Sequence, residues 1–115
     1  MILVNKQAIQ KEKVDPYFEQ WEQLSTLIHE AHSERNNQAR PLMEQGIALF
    51  EKCVLDCSET HEKTMKENEQ YEVLPINGME RILFIKARPA QYACYRQLDE
   101  LFKELKKRLA RLRIK

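Results

Sequence analysis

Glycine is scarce in this chain, with two residues among 115, and proline little commoner, with four. So few turn formers leave no room for the many hairpins of a β-sandwich or barrel. The two glycines, Gly46 and Gly78, stand isolated, so no glycine-rich phosphate loop is present. Long apolar runs are missing too. The opening Met1-Ile2-Leu3-Val4 turns polar at Asn5, too short for the apolar region of a signal peptide and far short of the roughly 20 residues a membrane span needs. The three cysteines, Cys53, Cys57 and Cys94, are an odd number with no paired spacing, which points to a reducing, cytoplasmic setting. Overall charge is nearly absent, with 19 basic against 18 acidic residues and a formal net charge of +1.

What is present is helical patterning. Hydrophobic residues make up 43% of the chain and charged residues 32%, the balance of a soluble helical protein. Asp15-Pro16 reads as an N-cap followed by a first-turn proline. Phe18, Trp21, Leu24, Ile28 and Ala31 follow at steps of three or four, and the polar stretch 33–38 ends the helix. A second helix reads from Gln38 to Lys66 with Leu42, Ile47, Phe50, Val54 and Cys57 on its stripe. Asn77 and Glu80 have the spacing of a capping box for a short helix from Met79 to Ala87. That helix breaks before Pro89. Leu98, Leu101, Phe102, Leu105, Leu109 and Leu112 form a continuous seam on a last helix from Pro89 to Arg113. The expected architecture is a single all-α domain over 1–115, an up-and-down bundle of about four helices with a kink before the long C-terminal one. Residues 1–14 read as a short helix or a loosely packed arm.

The near-zero net charge hides a split. Residues 1–78 hold eight basic and fourteen acidic side chains, a net of −6, while residues 79–115 hold eleven and four, a net of +7. Arg81, Lys86, Arg88, Arg96, Lys103, Lys107 and Arg111 are the candidates for contact with an anionic partner. Arg96, Lys103, Lys107 and Arg111 share one side of the last helix, a row suited to phosphates, with Tyr92 and Tyr95 placed to stack on bases. The plainer reading is helix surface. Cations near a helix C-terminus complement its dipole at ~0.3 to 1 kcal/mol each, and Asp99–Lys103 and Glu104–Arg108 are favourable i,i+4 pairs. A further plain reading packs the basic helix beside the acidic helices of its own bundle.

Chemistry-bearing residues are few. His29, His32, Cys53, Cys57 and His61 fall on the first two helices with helical spacing and are the weak candidates for a metal such as zinc. No CxxC accompanies them, His29-Glu-Ala-His32 is not HExxH, and cysteine on an apolar stripe is an ordinary core residue. Ser25 and Ser58 lack a strained elbow. Cys94 lies near Arg88 and Arg96, which would lower its pKa. Neither catalytic residues nor a cofactor are implied. Tyr17, Phe18 and Trp21 read first as core, and Tyr17 with Trp21 as a protein-contact pair if the indole is exposed.

Two stretches carry a resemblance: Asp15-Pro-Tyr-Phe-Glu-Gln-Trp, and Ile76-Asn-Gly-Met-Glu-Arg-Ile-Leu-Phe-Ile-Lys-Ala-Arg-Pro-Ala-Gln-Tyr followed by Gln97-Leu-Asp-Glu-Leu-Phe-Lys-Glu-Leu. Over about half of the chain they resemble the YpoC-like family of small proteins from Bacillus-type Gram-positive bacteria. The resemblance implies a helical, cytosolic protein without an assigned activity, and it draws attention to Glu80, Arg81, Lys86, Arg88, Pro89 and Tyr92. Together these readings give a non-enzymatic module that binds a protein partner or itself. Nucleic-acid binding through the basic helix is the alternative, metal binding the third, and no membrane is involved.

Overall fold

The computed structural model describes residues 1–114 and contains four helices: α1 (Lys11–Ser33), α2 (Ala39–Asp56), α3 (Gly78–Ala87) and α4 (Tyr92–Arg113). Among the described residues there is no strand, and no helix is long and apolar enough to cross a membrane. α1 packs most extensively on α2, and α4 closes over both with α3 along its side. The buried faces are those the periodicity requires: Val14, Phe18, Trp21, Ile28 and Ala31 on α1, and Leu98 through Leu112 on α4. Their centre is aromatic. Phe102 stacks on Trp21 at 4.5 Å and meets Phe50 edge-on at 5.2 Å.

α1 starts one turn before the expected cap. The Gln10 carbonyl accepts from the amides of Lys13 and Val14, so Asp15 sits inside the helix, paired with Lys11 at 2.8 Å. Pro16 is interior too. It is solvent-exposed, where water can serve the carbonyl its missing amide leaves open. The helix ends with Arg35 left-handed at φ 53°. The Asn36 amide donates to the Ala31 carbonyl and that of Arg35 to His32, a Schellman closure made without glycine.

Two expectations are corrected at the N-terminus and after α2. The second helix stops at Asp56 rather than Lys66, and the first residues are not a loose arm. Residues 58–70 offer one large apolar side chain, Met65, and cannot sustain a buried stripe. Instead Ser58 Oγ donates to the Val54 carbonyl at 2.7 Å, and the N-terminal segment threads between 57–59 and 70–72. The amides of Asn5 and Glu59 donate to the carbonyls of Cys57 and Leu3, each at 2.8 Å. Those of Ile2 and Glu72 donate to Gln70 at 2.8 Å and Ile2 at 2.9 Å. Val4 and Ile9 are buried in consequence.

The expected capping box does not form. Asn77 is left-handed at φ 55° and its side chain makes no cap bond; its carbonyl receives the Arg81 amide at 3.0 Å instead. Pro89 is buried in the turn between α3 and α4, and α4 opens at Tyr92, not at the proline.

Candidate interaction surface

α4 buries one side and turns the other outward. Arg96, Lys103, Lys107 and Arg111 fall within an arc of about 80° at 100° per residue, opposite the leucine seam, and all four are exposed. Lys103 pairs with Asp99 at 3.0 Å and reaches Glu100 at 3.9 Å, and the Asp99 bond holds its pKa above the usual lysine value. Among the described residues Arg96, Lys107 and Arg111 form no ion pair, nor does the exposed Arg88. The remaining cations of α4 face the bundle's edge. Lys106 lies over the Phe18 ring at 5.7 Å, and Arg108 Nε donates to the Glu72 carbonyl at 2.6 Å. These inward ties were not legible in the sequence, because their acceptors are a ring on α1 and a loop carbonyl.

Arg81 and Lys86 are placed differently. Arg81 clamps α3 to α4 through two bonds to the Glu104 carboxylate, at 3.0 and 2.7 Å, and further bonds to Gln97 and the Ile76 carbonyl. Glu104 therefore turns to Arg81 and not to Arg108, as the i,i+4 spacing had suggested. The Arg81 hydrogen bonds hold the Glu104 carboxyl below its ordinary value of 4.5. Such a group stabilises the fold fully above that value and loses its contribution as pH falls through the lowered one. Glu104→Gln is expected to cost about 1 kcal/mol at neutral pH, allowing for solvent screening of a partly exposed pair. Urea denaturation should show the difference from the unsubstituted chain shrinking as pH falls below the ordinary glutamate value of 4.5; a difference independent of pH would assign the clamp to shape and not charge.

Lys86 pairs with Glu51 of α2 at 2.8 Å. Among the described residues this is the one ion pair that joins the acidic 1–78 part to the basic 79–115 part. The charge split read from the sequence thus persists in three dimensions, because α4 meets α1 and α2 through leucines and aromatics.

Other candidates are dispersed. Trp21 is 4% exposed and its Nε1 donates to Asp99 Oδ1 at 2.9 Å, which removes it from the protein-contact pair. Tyr17 is half-buried and its hydroxyl donates to the Asp56 carboxylate; burial first and this bond second push its pKa up. Tyr95 is buried against Ser25, with hydroxyls 2.8 Å apart, so of the two base-stacking candidates only Tyr92 reaches solvent. Cys94 is also buried, and desolvation outweighs Arg88 to raise its pKa, the reverse of the expected lowering.

The five metal candidates are not brought together. His29 and His32 lie against Tyr92 and Tyr95, Cys53 and Cys57 are core residues, and His61 sits on the 57–77 connection. Among the described residues no group of three or more His, Cys, Asp or Glu is placed to hold a metal ion. The Cys53 thiol is pushed well up by its hydrogen bond with the Cys57 thiol and by burial. A cleft of about 690 Å³ opens between α2 and the 58–65 loop, with Lys52, Asp56, His61 and Lys63 on its walls; reading that loop as helix had hidden it.

The family profile described as YpoC-like protein matches residues 11–115. An uncharacterised protein, YpoC of Bacillus subtilis (strain 168), is 47% identical over 53 residues, 46% of this chain and 29% of that protein's length. No solved structure matches.

Proposed function

The chain belongs to the YpoC-like family, and from that premise we propose that it is a non-enzymatic interaction module of the cytoplasm, docking an acidic protein surface on the outer row of α4. The observation that supports it is the uncompensated row itself: Arg96, Lys107 and Arg111 are solvent-facing and outside every ion pair among the described residues. Complementary charge of this kind steers encounter and sets register. An acidic protein suits the row better than a nucleic acid. Glu100 interrupts it, 3.9 Å from Lys103, and repels a continuous phosphate backbone, whereas a protein surface can present a cation there. The burial of Tyr95 also removes half of the stacking platform. Three unpaired, buried thiols agree with a reducing compartment.

Fluorescence anisotropy with labelled poly-L-glutamate, single-stranded RNA and duplex DNA tests this reading. Poly-L-glutamate should bind at about 20 mM salt and dissociate as salt rises, since such contacts are screened. R96E/K107E/R111E should weaken it by about tenfold or more. No response to poly-L-glutamate at low salt would overturn the proposal. DNA or RNA binding that survives about 150 mM salt and is lost in the triple variant would transfer the row to nucleic acid.

A further inference from the structure

α1 carries a row of the opposite sign. Glu12, Glu19, Glu22 and Glu30 fall within an arc of about 80° on the side of α1 away from Val14, Phe18, Trp21 and Ile28. All four are exposed, and none forms an ion pair among the described residues. At 1.5 Å per residue the acidic row is about 27 Å long and the basic row of α4 about 22 Å. No ion pair joins the two rows within one chain among the described residues. We propose that the partner of the α4 row is a second copy of this chain, with the α4 row of each protomer lying on the α1 row of the other.

A two-fold arrangement makes both contacts at once and closes, leaving no row free to propagate a filament. The formal net charge of +1 removes any large repulsion between copies, so the separated rows govern the approach. The contacts are exposed ion pairs, individually weak and screened by salt, and the dimer is accordingly a low-affinity, salt-sensitive one. This inference rests on the reading of α4 as a docking row and specifies what docks there.

Sedimentation equilibrium of the full chain provides the test, with two charge-reversed forms, R96E/K107E/R111E and E19K/E22K/E30K. The unsubstituted chain should approach twice the monomer mass at high concentration and about 20 mM salt, and return to monomer near 300 mM. Each reversed form alone should be monomeric, with helix content unchanged by circular dichroism. An equimolar mixture of the two should dimerise, since both contacts are again complementary with their signs exchanged. A monomeric unsubstituted chain at low salt, or a mixture that stays monomeric, overturns the inference. If the monomer still binds poly-L-glutamate through Arg96, Lys107 and Arg111, the docking row stands and its occupant is another acidic protein.

Discussion

Replacing Phe102 with alanine is expected to cost about 4 kcal/mol, a large share of the roughly 5–15 kcal/mol that holds a domain of this size together. Phe102 is 1% exposed and is the side chain through which α4 reaches both other long helices. Its ring stacks on Trp21 at 4.5 Å with planes 10° apart, meets Phe50 at 5.2 Å and 83°, and Phe18 at 6.4 Å and 86°. Truncation removes the transfer free energy of the ring and leaves a cavity that three rigid aromatics cannot collapse to fill. Thermal unfolding should shift down by about 15 °C or more, and Trp21, the one tryptophan, reports the change through its emission. Phe102→Leu, which keeps most of the volume, should cost about 2 kcal/mol or less. A loss below about 1 kcal/mol for the alanine would mean that the aromatic centre does not hold α4 in place.

Gly46→Ala is expected to destabilise by about 2 kcal/mol, against the roughly 1 kcal/mol gain that helix propensity alone assigns to alanine at an interior position. The opposing effect is steric. A Cβ at Gly46 stands 2.7 Å from Trp21 Cζ3 and 3.2 Å from Leu98 Cδ2. The indole has no free direction to move: Phe102 stacks on it, and its Nε1 is bound to Asp99 at 2.9 Å. Gly46→Val adds bulk at the same point and should prevent stable folding. Chemical denaturation of the two variants measures the effect, and a stabilised Gly46→Ala would show that α1 and α2 can separate without loss. The glycine is therefore a packing residue, the point where α2 approaches the indole closely enough for α4 to lie across both.

Those substitutions act on contacts the sequence announced only in part. The leucine seam of α4 and the Phe18–Trp21–Ile28 face of α1 were legible because each repeats within a few residues of itself. Gly46 was read as an isolated glycine, since nothing near it in the chain indicates that Trp21 lies against it. The basic row was legible for the same reason as the seam, but the sorting of its members was not. Arg81 and Lys86 stand in the same cationic stretch as Arg96, and only the positions of Glu104 and Glu51 draw them into pairs. The acidic row of α1 has helical spacing as well, yet its separation from α4's row depends on how the two helices turn about the core.

By itself the sequence determined the helical class, the inward faces of α1 and α4, and the division of charge between residues 1–78 and 79–115. Each is a property of composition or of spacing within a single helix, where 3.6 residues per turn translates position into direction. Tertiary structure alone decided where α2 ends, that residues 1–5 are held between 57–59 and 70–72, and that Trp21 packs against Gly46. It also decided which cations remain available to a partner. All of these depend on groups many residues apart, as when the Ile2 amide finds the carbonyl of Gln70, and local periodicity carries no record of such pairings.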